Sequence, residues 1–376
     1  MKLKGLFFYG YDNAGTHFAN PGADKKVAAQ MMVLEQSGML CKRIQSSGNY
    51  SKSLWRRIRV RMPFGSPIGD FMTCYRDEFD GYDFYYIRCT AFLSLPRLLS
   101  IRKLRKHNPS AKILYELCTY PYRKDYTRRW FDFPFLIRDI CYLPFLTRCI
   151  DRFVTVSHHD IIAGVPAIKM INGIDLSKIY PASPLPEDGS IHVIAVAKIS
   201  PWHGYDRFIR GMAAYYKRGG RRSVVFHIVG EGHDKSSLEA MIAAFDIEDR
   251  VVMHGFKTGK ELDMLYDMSH LGLISLATQD KDIFVHSTLK SREYMAKGLP
   301  TISTGITDVF INADYKYNLE LSAEERIVDL EKIIAFYDSI YSGTPRQKVI
   351  SEIRSFAERN IDIHATMQPV IDYLKS

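Results

Sequence analysis

Ser287-Thr288-Leu289-Lys290-Ser291-Arg292-Glu293-Tyr294-Met295-Ala296-Lys297-Gly298-Leu299-Pro300-Thr301-Ile302 compresses a helix start, a carboxylate and a strand into one short run. Ser287 or Thr288 caps the helix and leaves its first N–H groups facing an anion, where the positive end of the helix dipole favours phosphate. Glu293 falls a turn or more further in, on the side of Leu289 or Lys290. A carboxylate there can accept two hydrogen bonds from a ribose diol while a diphosphate rests on the helix tip. Gly298 then stops the helix and Pro300 opens a strand.

Outward from this run, short apolar stretches at 191–198, 224–229, 251–253, 271–275 and 301–303 alternate with helical patterns at about 204–217, 234–245, 260–268 and 288–297. Such alternation predicts a parallel sheet with helices on both faces. A second series precedes it. Strands are expected at 4–11, 84–87, 112–116 and 153–156, and helices at 24–36, about 94–106 and 135–149. The Pro-rich 180–186 reads as a linker between the two series, and 346–374 as a closing helical pattern. A chain of 376 residues exceeds one ordinary core. The expected fold class is therefore α/β, two sheets in tandem with a cleft between them.

Charge separates the halves. Residues 1–185 hold 28 Lys and Arg against 15 Asp and Glu, a net +13, while the whole chain carries +9. The basic half suits an anionic surface, either phospholipid or a lipid-linked diphosphate. Two segments, 51–64 and 128–136, mix cations with aromatic rings as bilayer-interface segments do. No apolar run is long enough to span a bilayer, and the first nine residues are too short and strand-like for a signal peptide, so a cytosolic location is expected. The six cysteines form no C-x-x-C pair and read as buried free thiols. No stacking-rich sheet motif or recognition helix accompanies the positive charge, which argues against nucleic acid.

The opening run, with residues 191–305 around it, resembles the retaining GT-B glycosyltransferases of family 4, especially the bacterial surface-polysaccharide members. The start of the chain and residues 112–121 share the likeness. It implies two Rossmann-like domains facing a central cleft: 1–182, joined by a closing helix at about 358–376, for the acceptor, and 183–357 for a nucleotide-sugar donor. The implied reaction is retaining sugar transfer to a lipid-linked glycan in surface polysaccharide synthesis, at the inner face of the membrane. It needs no metal cofactor, with UDP- or GDP-sugar as co-substrate.

The resemblance assigns Lys198 and His203, in Ala197-Lys198-Ile199-Ser200-Pro201-Trp202-His203-Gly204-Tyr205-Asp206, to the donor diphosphate, His203 standing where relatives carry a second Lys. Catalytic roles fall to Lys198, His203 and Glu293. Donor contacts fall to Gly22, Gly230, Gly232, Phe256, Lys257, Ser287, Thr288, Leu289 and Lys290. Thr119, His158 and His159 are acceptor-side candidates. Gly255 to Glu261 is no P-loop, because its glycine spacing is one short and Glu261 replaces the hydroxyl.

Two departures stand out. The family's first acid, eight residues before Glu293, is Val285 here, with Asp280 and Asp282 as substitutes from the same loop. Cys118 or Thr119 stands where many relatives carry a His. Both departures favour an alternative reading, a catalytically silent subunit that binds nucleotide sugar or assists a partner transferase. A sugar-nucleotide epimerase on the same fold is disfavoured by Val285, since it needs acid and base groups around the sugar.

Overall fold

The computed structural model describes residues 2–9, 21–45, 58, 62, 75–89, 93–118, 120–121, 132–157, 159–185, 188–281, 285–311 and 313–376. The chain forms two compact units, Met1–Asn172 with Ile363–Ser376, and Gly173–Asp362.

In the first unit, β1 (Lys4–Tyr9), β2 (Leu40–Gln45), β3 (Phe84–Cys89), β4 (Lys112–Leu117), β5 (Arg152–Thr155), β6 (Ile161–Ile162) and β7 (Val165–Lys169) make one sheet in the order β2-β1-β3-β4-β5-β7-β6. Only the β6–β7 pair is antiparallel. Its strands read as continuous apolar runs because helices cover both faces. Leu6, Phe8, Tyr85 and Ile87 pack against α2 (Leu95–His107) and α3 (Phe133–Leu146). Phe7, Tyr9, Phe84 and Tyr86 pack against α1 (Pro21–Gln36) and the closing helix Ile363–Lys375.

The second unit holds β8 (Ile191–Val196), β9 (Val224–Val229), β10 (Val251–Gly255), β11 (Leu271–Leu273), β13 (Thr301–Thr304) and β15 (Asn318–Leu321) in one parallel sheet ordered β10-β9-β8-β11-β13-β15. β12 (Val285–His286) and β14 (Ile306–Thr307) pair separately. Helices α4 (Tyr205–Lys217), α5 (Lys235–Phe245) and α8 (Leu330–Tyr341) share one core. A smaller core holds residues of α6 (Gly259–Met268) and α7 (Leu289–Lys297), and α9 (Arg346–Asn360) packs on α7. Both units are thus Rossmann-like α/β layers.

The change of unit falls ahead of the expected 182/183 linker because 173–182 is tied to the second unit. Ile174 N–H donates to Ile361 O (3.0 Å), Ala182 N–H to Lys297 O (2.9 Å), and Arg354 reaches Leu176 O and Ile179 O at 2.8 and 2.7 Å. At the far end the change lies between Asp362 and Ile363. Gly22 was expected in the loop after β1. It lies instead in the first turn of α1, which begins at Pro21, a residue whose fixed φ suits a helix start. Of the described cysteines, all free, Cys149 is buried as expected, Cys41 and Cys118 are partly covered, and Cys141 is exposed on α3. Among the described residues no helix is long and apolar enough to cross a membrane.

Candidate functional site

In parallel α/β sheets ligands bind beyond the carboxyl ends of the strands. In the second unit those ends are laced together by backbone. Ala197 N–H donates to Val229 O (3.0 Å), Ile199 N–H to Glu231 O (2.9 Å), Gly230 N–H to Gly255 O (2.7 Å) and Leu276 N–H to His203 O (2.8 Å). This lacing explains two glycines singled out in the sequence. A Cβ on Gly230 or Gly232 would lie 1.9 Å from the carbonyl oxygen of Ala197 or Ile199, and Gly230 has φ +134°. Both are required for loop-to-loop contact.

Thr288 caps α7, its Oγ accepting from Ser291 N–H at 3.4 Å, and Gly298 ends the helix with φ +80°. Ser287 Oγ lies 3.4 Å from the Arg292 guanidinium, which is fully buried and paired with Asp308. Lys297 is neutralised by Asp263 at 2.6 Å. Lys290, in the first turn, differs from both. Its ammonium donates to Ser275 Oγ at 2.8 Å, beyond the end of β11, and lies 5.9 Å from the Tyr205 ring centroid. Burial pushes its pKa down to about 7, and among the described residues no carboxylate pairs with it. The tip of α7 therefore holds a desolvated cation whose charge an anion would stabilise.

Tyr205 links this cation to the preceding loop. Its ring stacks on His203 with centroids 5.2 Å apart and planes 17° apart. His203 is buried, and its Nδ1 accepts from Ser200 N–H at 3.3 Å. In the neutral ring the proton is therefore on Nε2. Lys198 is exposed on the same loop.

Glu293 lies one turn beyond Thr288, partly exposed. Burial, and next the Glu293 carboxylate, hold the Tyr266 phenol well above its usual range. Its neighbour Tyr294 fixes the helix against the sheet: the hydroxyl accepts from Val196 N–H (2.9 Å) and donates to Leu273 O (3.2 Å). Tyr294→Phe is expected to lower the unfolding free energy by about 2 kcal/mol, because two buried backbone groups lose their partner. Urea denaturation measures this, and an unchanged midpoint would contradict it.

The remaining candidates are dispersed. Phe256 is 73% exposed after β10, and Lys257 is engaged by Glu261 at 2.9 Å. Val285 lies on β12 beside Ile306, exposed, with no polar atom to offer. His159 is exposed, edge-on to Tyr120, with Nδ1 3.2 Å from Ser157 Oγ. Thr119, His158, Asp282, 51–57, 59–61, 63–64 and 128–131 lie outside the described residues, as does the Asp280 side chain.

The first unit also carries a buried ionic group at its strand ends. Glu116 accepts from Tyr86 (2.7 Å) and Gln30 (3.3 Å), pairs with Arg88, and lies 3.5 Å from Lys26. Burial would raise its pKa; Arg88 and Lys26 override that and hold it at about 2.

Residues 190–325 match the family described as glycosyl transferases group 1. The chain carries a glycosyltransferase domain. No curated protein matches it in sequence. Among solved structures it is similar to a glycosyltransferase from Rickettsia africae (14% identity, 100% of this chain and 98% of that one, TM-score 0.66). It is also similar to Anabaena HepE in complex with UDP (14%, 100% and 100%, 0.63). Sucrose-phosphate synthase from Thermosynechococcus elongatus is a third such structure (13%, 100% and 99%, 0.68). At these identities the likeness establishes the fold. The family match, which spans residues 190–325, supports glycosyltransferase activity on this fold.

Proposed function

We propose that the protein is a retaining transferase that moves a sugar from a uridine or guanosine diphosphate sugar to a lipid-linked glycan, in surface polysaccharide synthesis at the inner face of the membrane. The observation that carries this reading is the tip of α7, where the Thr288 cap and the desolvated Lys290 ammonium lie in one helical turn. In this reading a diphosphate supplies counter-charge there, and Glu293, one turn on, accepts from the ribose diol. The UDP held by Anabaena HepE supports the nucleotide assignment.

In this reading Lys198, the Nε2–H of His203 and the α7 tip stabilise the charge that grows on the departing phosphate, without a resident metal. The basic first half brings the enzyme to anionic lipid, and His159 and its neighbours face the acceptor. The exposed aliphatic Val285 favours the second reading, a donor-binding subunit with little turnover of its own.

Two measurements separate the readings. UDP or GDP should raise the melting temperature in either case, and stabilisation by neither removes the nucleotide site. Lys198→Ala is expected to lower kcat about a hundredfold or more with folding intact, as loss of one transition-state donor does. Near-normal turnover would take Lys198 out of the mechanism, and no turnover by the wild type with any nucleotide sugar would favour the silent subunit.

A further inference from the structure

Apart from Arg138 and Asp139, which are buried, helix α3 carries no charged residue, yet only half of it is covered. Phe135, Leu136 and Leu146 are covered, whereas Phe133, Ile137, Ile140 and Phe145 are between 48% and 54% exposed. Together with the exposed Cys141 and Pro144, these recur at helical intervals and share one stripe. A contiguous exposed apolar face marks an interaction site.

The charges beside the stripe select the partner. Helix α2 packs next to α3, and its Leu98, Ile101 and Leu104 enter the same core as Leu146. Its other side therefore faces outward with the stripe, and there Leu99, Arg102, Lys103 and Lys106 are exposed. Arg148 continues the cationic border, its guanidinium 6.0 Å from the Phe145 ring centroid. Helix α2 contains no acidic residue, Asp80 meets its last residue His107 at 3.3 Å, and Asp139 of α3 is buried, accepting from Leu93 N–H at 2.7 Å.

We propose that the α2–α3 face is the surface that docks on an anionic bilayer, with α3 lying in the interface, its apolar stripe at acyl depth and the α2 cations on lipid phosphate. The proposal rests on the membrane reading given above and assigns it to named elements. Pairing with a second copy would bring these cations against each other, which opposes self-association through this face.

Full-length protein floated with phosphatidylcholine vesicles, with and without phosphatidylglycerol, tests the proposal. Wild type should bind only the anionic vesicles and be released by salt. The double variant Ile137→Glu, Ile140→Glu should bind about tenfold more weakly with an unchanged circular dichroism spectrum, since two side chains at acyl depth would become charged. Arg102→Glu with Lys103→Glu should lower binding and flatten its salt dependence. An Ile137→Glu, Ile140→Glu protein that binds like wild type overturns the assignment to α3 and leaves the membrane reading standing. Wild type indifferent to anionic vesicles overturns both. Conversion of a wild-type dimer to a monomer by the double variant, seen in sedimentation, reassigns the face to self-association.

Discussion

The affinity for UDP is expected to fall by about tenfold per pH unit between pH 7.5 and 9.5, following the linkage between a bound anion and a buried ammonium. The free protein holds Lys290 at about 7, because burial disfavours its charged form. A diphosphate beside it favours the charged form and raises that value. Above pH 7 binding must therefore take up a proton, and each further unit of pH weakens binding until the raised value of the complex is reached. The terminal phosphate of the nucleotide ionises near pH 6, so its own charge is constant over this window. Lys290→Met should bind UDP weakly with a flat profile, and uridine should be insensitive to pH with either protein. Isothermal titration in buffers of different ionisation enthalpy reads both the affinity and the proton uptake. A flat wild-type profile would place the diphosphate away from Lys290.

Lys290 also illustrates what the sequence conceals. Its place in the first turn was legible from Thr288 and Gly298, because caps and stops are local chemistry. Its partner Ser275 and the Tyr205 ring come from other βα turns, and only the fold brings them to it. Glycines 230 and 232 carry a second reason that the sequence does not show. A glycine pair after a strand is the same signal whether a ligand or a neighbouring loop needs the space, and here the carbonyls of Ala197 and Ile199 take it.

Two of the strands that went unread, β2 and β15, are edge strands. β2 is Leu-Cys-Lys-Arg-Ile-Gln, paired on one side only, and its cations interrupt the apolar run. β15, Asn-Leu-Glu-Leu, is the edge of the second unit's sheet and is interrupted by Glu320. The long strands β1, β3, β8 and β9, paired on both sides, announce themselves. The closing helical pattern at 346–374 is two helices, broken at Ile361 and Asp362, where Ile361 O accepts from Ile174 N–H and the chain passes to the first unit.

Acid is expected to destabilise the second unit well before its carboxylates titrate. His192, His227 and His254 stand on the adjacent strands β8, β9 and β10, joined ring to ring: His192 Nδ1 to His227 Nε2 and His227 Nδ1 to His254 Nε2, both 2.9 Å. Asp188 lies 3.1 Å from His192 Nε2 and orients the ladder. With every ring neutral and protonated on Nε2, each donates toward Asp188 and accepts from the next. His270 joins through its Nδ1, which accepts from His192 N–H at 3.0 Å. Burial lowers both His227 and His270 to about 3, with neighbouring His192 next for His227 and Arg346 next for His270. The unfolded chain protonates these rings near 6.5, so it binds more protons than the folded one between pH 6.5 and 3. The stability they confer is complete above pH 6.5 and is lost as pH falls through that window. At pH 5 the loss is about 2 kcal/mol for each ring. Chemical denaturation of the protein from pH 7 to 5 should therefore show an unfolding free energy that drops with a slope approaching two protons. His270→Gln should halve that slope while lowering stability at pH 7, because its amide oxygen can still accept from His192 N–H but no longer titrates. An unfolding free energy that is level across this range, or a slope untouched by the substitution, would mean that the ladder is already protonated in the folded protein.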